Sequence, residues 1–131
     1  TYRPAEVELE LDGVPLGRFH VLNVVVANGQ YAGGGMRFAP HARLSDGQLE
    51  CIVIERRSIF RAALDSPGLY AGTYLRGPGV HSFSGSHLRA KLVGEHPAHL
   101  DVDGEAPGSI PADFTLRPGA IGLLGARAEV L

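Results

Sequence analysis

Short segments in which apolar and polar residues alternate, separated by turn dipeptides, recur along most of this chain. Residues 7–13, VELELDG, alternate in this way and end in Asp-Gly, which is typical of a half-buried strand that enters a hairpin. From Gly79 onward, further strands are predicted, separated by turn residues at short intervals: VHSFS, HLRAKLV, AHLDVDGE, ADFTLRP and AIGLLGA. Such spacing is typical of an antiparallel sandwich or barrel, so we predict a mostly β, antiparallel β-sandwich-like domain.

Two longer segments add strands to this domain. Residues 18–28, RFHVLNVVVAN, predict a long strand. Because residues 21–27 are almost continuously apolar, we expect that portion to be buried on both faces. Residues 48–55, QLECIVIE, are rich in β-branched side chains and predict another strand.

One short helical insertion is predicted near residues 57–75. The segment RSIFRAALDS has apolar residues at helical spacing, and Pro67-Gly68 is expected to end the helix. The following LYAGTYL is expected to add a helical turn. The apolar helical face comprises Ile59, Phe60, Ala63 and Leu64.

Length and charge limit the classes of function. The 131 residues suit one domain that spans residues 1–131. A formal net charge of −2 provides no basic field for a nucleic-acid backbone, so we expect no nucleic-acid partner. Cys51 is the single cysteine, which excludes an internal disulfide and indicates a buried thiol within LECIVIE. No apolar run reaches the roughly 18 residues of a spanning helix.

Two loops between the strands contain residues that suit a ligand. Gly33, Gly34 and Gly35 can adopt positive φ, so this loop is either a structural bulge or a nest of N–H groups for an anion. Asp46 lies in a Ser-Asp-Gly turn. It is either a turn former or a carboxylate for a hard cation such as Mg²⁺.

The acidic segment HLDVDGEAPG is the third candidate. Asp101, Asp103 and Glu105 alternate, so on a strand they would share one face, and one of them could act as a general base. The alternative is an acidic turn with Asp103-Gly104 at its tip. The six histidines show no metal-ligand spacing and are interpreted as surface or turn residues. The Ser-rich HSFSGSH lacks a nucleophile elbow and is interpreted as structural.

Taken together, these motifs resemble the carboxy-terminal part of the diacylglycerol-kinase catalytic family, which includes sphingosine kinases and soluble bacterial lipid kinases. Order and spacing both match over nearly the whole chain. The motifs read Asn28-Gly29, Gly33-Gly34-Gly35, Ala39-Pro40-His41-Ala42, Asp46-Gly47-Gln48-Leu49 and Asp103-Gly104-Glu105.

The resemblance implies the second domain of a two-domain lipid kinase that uses ATP and Mg²⁺. The family's amino-terminal α/β domain carries a Gly-Gly-Asp-Gly-Thr loop for ATP, and this chain has no such loop, so the chain alone is expected to be inactive. The resemblance implies that Glu105 is the proton acceptor for the lipid hydroxyl, with Asp103 as a second candidate. The resemblance also implies a nucleotide-facing wall, formed by Asn28, Gly33, Gly34 and Gly35. It further implies a structural Mg²⁺ site, formed by the Asp46 side chain and the carbonyls of Arg43 and Gln48.

The expected partners are a lipid substrate and the amino-terminal ATP-binding domain of the same protein. The expected location is cytoplasmic, with at most peripheral contact with the membrane. The oligomeric state stays open, and edge pairing between two copies in a homodimer is one arrangement. Two other interpretations remain: a non-catalytic β-sandwich that binds a lipid or a partner protein, and an NAD kinase-like domain.

Overall fold

The computed structural model describes residues 3–56, 66–122 and 124. Within these residues, antiparallel strands dominate and the helical segments are short. The strands are β1 (Ala5–Leu11), β2 (Val14–Ala27), β3 (Leu49–Glu55), β4 (Val80–Gly85), β5 (His87–Leu92), β6 (His99–Val102), β7 (Glu105–Ser109) and β8 (Ala112–Thr115). The helical segments are α1 (Ser66–Ala71) and a 3₁₀ helix (Tyr74–Arg76).

The strands form one six-stranded sheet in the order β4-β3-β2-β1-β5-β8 and one two-stranded sheet of β6 and β7. Every pairing is antiparallel. The predicted fold class, mostly antiparallel β with a short helical insertion, is therefore confirmed.

Two Asp-Gly turns close the tightest hairpins. Asp12 and Gly13 have φ of 49° and 80°, and they join Leu11 to its partner Val14. Asp103 and Gly104 have φ of 52° and 87° between β6 and β7. Two consecutive residues with positive φ are the mark of a type I′ turn, which Asp-Gly favours and whose twist matches the flanking strands.

A bulge in β2 changes which side chains face each side of the large sheet. Val21 pairs with Glu55 but Asn23 pairs with Ile54, so Leu22 is the extra residue. The sequence predicted that residues 21–27 are buried on both faces, but in the structure they are not. Val21 is buried, Asn23 is exposed, and the other residues of this stretch are half-buried. The prediction was wrong because the bulge interrupts the strand and each face is only partly covered.

Among the described residues, the core forms two clusters on opposite faces of the sheet, and β3 contributes to both. Cys51 and Val53 join the first cluster, which the sheet residues of β1 and β5 dominate. Ile52 belongs to the second cluster, together with Tyr74 and the alanines of the loop before β3. The buried Cys51 confirms the expected buried thiol, and burial together with the nearby Glu50 raises its pKa to about 12.

The helical region agrees with the sequence only in part. The predicted helix over residues 57–66 falls largely outside the described residues. The end of that predicted helix therefore stays a prediction, and Pro67 and Gly68 themselves lie within α1. This is allowed because proline in a first turn lacks an N–H that would have no partner there. The 3₁₀ helix confirms the expected turn in LYAGTYL.

The last predicted strand, AIGLLGA, is not a strand at its described residues, 120–122 and 124. The chain leaves the sheet before it, since Leu116 still bonds to Ser86 but Gly119 turns with φ of 67°. The remaining residues of that segment lie outside the described part. No helix among the described residues is long and apolar enough to cross a bilayer.

Candidate functional site

The three consecutive glycines form a closed loop. Gly33, Gly34 and Gly35 have φ of 50°, 77° and 93°, and the amides and carbonyls of Ala32 and Met36 bond to each other at 3.0 and 3.1 Å. Most residues with a Cβ atom rarely adopt these angles, and three of them in a row call for glycine. The glycines are thus needed for the shape of the loop, and their predicted role in lining a nucleotide site remains a prediction.

Gln30 holds the base of this loop against the neighbouring segment. Its Nε2 donates to the Ala42 carbonyl at 3.2 Å, and its Oε1 accepts from Arg37 Nε at 3.1 Å. Its own carbonyl accepts from the Ala39 amide at 3.1 Å. The sequence analysis missed Gln30. Its three hydrogen bonds are to residues that folding brings close, and no sequence pattern in a glycine-rich loop indicates them.

The Asp46 turn has the donor types that Mg²⁺ accepts. Asp46 Oδ1 accepts from the Gln48 amide at 3.0 Å, and both residues and Arg43 are exposed. No group of three or more His, Cys, Asp or Glu side chains converges in the described part of the chain. A metal here would therefore rest on one carboxylate, backbone carbonyls and water, a set that Mg²⁺ tolerates.

A cavity of about 250 Å³, here called the Asn28 cavity, lies beside this turn. Asn28, Ser45 and Gly47 line one side, and residues 116–121 line the other. Asn28 Oδ1 is buried and has no hydrogen-bond partner within the described residues. An unpaired buried carbonyl oxygen requires a donor. The fold thus brings two of the predicted motifs together at this cavity, while Gly33, Gly34 and Gly35 do not line it.

The acidic candidates lie on a separate hairpin. Asp103 is at the turn, and the Gly104 amide donates to Asp101 Oδ1 at 2.9 Å. The expectation that Asp101, Asp103 and Glu105 share one strand face is wrong, because the positive φ of Asp103 breaks the alternation. The alternative, a hairpin tip at Asp103-Gly104, is confirmed. Asp103 and Glu105 are both exposed.

The same hairpin covers a second cavity of about 280 Å³, here called the hairpin cavity. Its floor is the first core cluster, including Val7, Leu9 and Leu88 of the large sheet. Its cover is the base of the β6–β7 hairpin and the adjoining chain, including Leu100 and Ile110. The walls are mostly apolar, so the cavity suits a hydrocarbon rather than a polar ligand.

Glu50 is a buried acid that the sequence analysis missed. Its side chain is only 4% exposed and accepts hydrogen bonds from the hydroxyls of Ser82 and Ser84 on the edge strand β4. This confirms that the Ser-rich segment is structural. The sequence signal that could have indicated this buried acid is the single glutamate within the otherwise apolar run LECIVI. Burial and Glu50 together raise the pKa of Tyr74 to about 12.

Asp12 ties its own hairpin to the turn between β4 and β5. Its carboxylate accepts from Ser86 Oγ at 2.9 Å and from the His87 amide at 2.9 Å. These hydrogen bonds, the hydroxyl bond first, lower the pKa of Asp12 below its usual value. Asp12 therefore holds the β1–β2 turn against the β4–β5 turn at one edge of the strands.

Comparison with known proteins shows which family this chain resembles. Residues 1–125 match the family described as the YegS C-terminal NAD kinase beta sandwich-like domain. The chain is 25% identical over 112 residues to the diacylglycerol kinase of Bacillus subtilis (strain 168), covering 86% of this chain and 36% of that protein. It therefore spans about a third of the curated relative that it matches.

Solved structures agree with the fold. A crystal structure of a diacylglycerol kinase from Bacillus anthracis str. Sterne superposes with a TM-score of 0.70 at 25% identity, covering 91% of this chain and 40% of that one. Another crystal structure from the same organism gives a TM-score of 0.72 at 24% identity, with 91% and 40% covered. The chain therefore belongs to the family of the YegS C-terminal NAD kinase beta sandwich-like domain, the C-terminal domain of diacylglycerol kinase family proteins.

Proposed function

We propose that this chain is the carboxy-terminal domain of an ATP-dependent lipid kinase that phosphorylates the hydroxyl of diacylglycerol or a related lipid alcohol. The observation that carries the proposal is the hairpin cavity. It offers an apolar volume of about 280 Å³, and the hairpin that covers it also carries the acidic tip. A lipid chain held beneath the hairpin base would keep the rest of the lipid near Glu105.

In this proposal Glu105 accepts the proton of the lipid hydroxyl during phosphoryl transfer. General-base catalysis of this kind contributes roughly 10²–10⁴-fold to the rate. Glu105 is exposed on the first residue of β7, so a substrate that approaches from the solvent side can reach it. Asp103, at the turn before it, is the second candidate.

ATP and Mg²⁺ belong to the same proposal. Asn28 would face the nucleotide side of the interdomain cleft, where its buried Oδ1 offers an acceptor. The Asp46 carboxylate and the carbonyls of Arg43 and Gln48 would hold a Mg²⁺ ion whose role is to fix the turn. The phosphates of ATP would be bound by an amino-terminal domain, with a Gly-Gly-Asp-Gly-Thr loop encoded upstream of this domain.

The test uses the protein that contains this domain together with its ATP-binding domain. Lipid phosphorylation is measured for Glu105→Gln, for Asp103→Asn and for the control Glu95→Gln, an exposed acid in the loop before β6. We expect Glu105→Gln to lower kcat by about 10²-fold or more, while the control stays near the wild type. A Glu105→Gln protein as active as the control would refute the role of Glu105, and a loss confined to Asp103→Asn would transfer that role to Asp103.

A non-catalytic lipid-binding module is the second candidate, because the described residues of this chain line a mostly apolar cavity of about 280 Å³. The two functions separate in the same assay. A larger protein that binds lipid but never transfers phosphate, even with ATP and Mg²⁺ at saturation, supports the binding module.

A further inference from the structure

Among the described residues, the polar side chains that line the hairpin cavity share one property: none of them is acidic. Arg3, Asn23 and His99 are the polar residues that line it, and all other lining residues are apolar. The whole chain has 14 acidic residues and a net charge of −2. The described lining of the cavity differs from that average, because it contains one arginine and no acid. We propose that the cavity binds a single-chain lipid phosphate, with the alkyl chain inside and the phosphate at these three residues.

Arg3 supplies the permanent positive charge. It is exposed, and it forms no ion pair with any residue in the described ranges. Its guanidinium is therefore available to an outside anion, and its planar set of donors matches phosphate oxygens.

His99 is oriented by the hairpin itself. The Ser109 hydroxyl lies 3.1 Å from His99 Nδ1, across the pair that begins β6 and ends β7. This bond fixes one ring nitrogen and leaves Nε2 for a ligand, since imidazole has a second donor or acceptor there.

Asn23 lines the cavity next to the bulge in β2. Strict alternation would place Val21 and Asn23 on this face and would turn Leu22 and Val24 to the other one. Instead, Val21, Leu22, Asn23 and Val24 all line the cavity. Bulges recur next to functional sites because they redirect side chains, and here four consecutive residues, among them the amide of Asn23, line one cavity.

The volume of the cavity selects one chain rather than two. A dry apolar cavity of ~150 Å³ holds one benzene molecule, which has six carbons. The 280 Å³ here is about twice as large and would hold roughly a dozen carbons, one alkyl chain. This inference rests on the proposed function, because a lipid kinase would make such a phosphate from a single-chain alcohol.

The test measures binding to this chain alone, without ATP, so it is independent of catalysis. The probes are dodecyl phosphate, dodecanol, dodecylammonium and dioctanoylglycerol phosphate, each below its micelle-forming concentration. Binding is followed by chemical-shift changes of the backbone amides of β1 and β6. We expect dodecyl phosphate to bind tightest, and the shifts to be centred on the hairpin cavity.

Three variants make the test specific. Arg3→Gln should weaken dodecyl phosphate by about two- to fivefold, as for an exposed ion pair, and leave dodecanol unchanged. Arg76→Gln is the control, since Arg76 is also exposed but lies on the 3₁₀ helix, away from the cavity. Ala98→Phe fills the cavity from a half-buried loop position, and it should abolish binding of every probe while circular dichroism shows that the fold is retained.

Equal binding of dodecanol, dodecylammonium and dodecyl phosphate would overturn the phosphate recognition. Equal binding of the two-chain phosphate would overturn the single-chain selection, and unchanged binding by Ala98→Phe would overturn the site. Failure of the kinase assay with success here would remove only the proposed catalysis. Success of the kinase assay with failure here would remove only this inference.

Discussion

Gly85→Ala should destabilise the fold by about 1–3 kcal/mol, because it overfills a packed contact. A Cβ atom on Gly85, the last residue of β4, would lie 2.6 Å from both Leu11 Cγ and Asp12 Oδ2. Leu11 is 7% exposed and Asp12 is fixed by its bonds to the β4–β5 turn, so neither can move aside cheaply.

A matched glycine separates this clash from the general effect of alanine. A Cβ on Gly94 would meet only Glu6, at 3.6 Å and beyond, which is ordinary contact. Replacing glycine where the backbone is permissive usually stabilises by ~0.4–1 kcal/mol through the unfolded chain. Gly94→Ala should therefore be neutral or slightly stabilising.

A double-mutant cycle with Leu11→Ala identifies the atoms responsible. Leu11→Ala alone should cost roughly 2–5 kcal/mol as a cavity-forming change. Because it removes Cγ and Cδ1, the two changes together should cost at least about 1 kcal/mol less than their sum. Free energies of unfolding come from urea titrations followed by far-ultraviolet circular dichroism. Strict additivity, or equal stability of Gly85→Ala and Gly94→Ala, would refute the reasoning.

Two further predictions concern titrating groups. Burial and Glu50 raise the pKa of Cys51 to about 12, so the thiol of the folded protein should not react with a thiol reagent at pH 8. In denaturant the reaction should be fast. Rapid reaction without denaturant would contradict the burial of Cys51. The pKa of Asp12 is lowered in the fold, so its contribution to stability is present above about pH 3.8 and is lost as the pH falls through the folded pKa. Asp12→Asn should therefore flatten the acid limb of the stability–pH curve, and an unchanged acid limb would contradict this.

The strands and their tight turns could be predicted from sequence because their signals are local. Asp-Gly at residues 12–13 and at 103–104 predicts a two-residue hairpin whatever surrounds it, and both hairpins form. The bulge at Leu22 could not be predicted, because the run VLNVVVA contains no residue that marks the extra position. Its location follows from pairing with β3, which is a long-range constraint.

The candidate site was predictable as motifs but not as an arrangement. Asn28 and the Asp46 turn meet at one cavity because residues 116–121 close it, a contact between distant parts of the chain. Glu105 lies on the separate β6–β7 hairpin, so the described residues do not by themselves bring this acid to the Asn28 cavity. The buried Glu50 shows the same limit, since its two serine partners come from the neighbouring strand.

The β6–β7 hairpin connects the two proposed roles physically. Leu100, near the base of the hairpin, forms part of the cover of the hairpin cavity. Glu105 is the first residue of β7, directly after the turn at the tip of the same hairpin. All residues of β7 are exposed, so the hairpin is held to the sheet mainly through its base. A chain bound in the cavity would add contacts at that base and restrict the hairpin as a whole, because two paired strands move together. Occupancy of the cavity is therefore expected to fix the position of the proposed general base, which would place proton transfer after lipid binding.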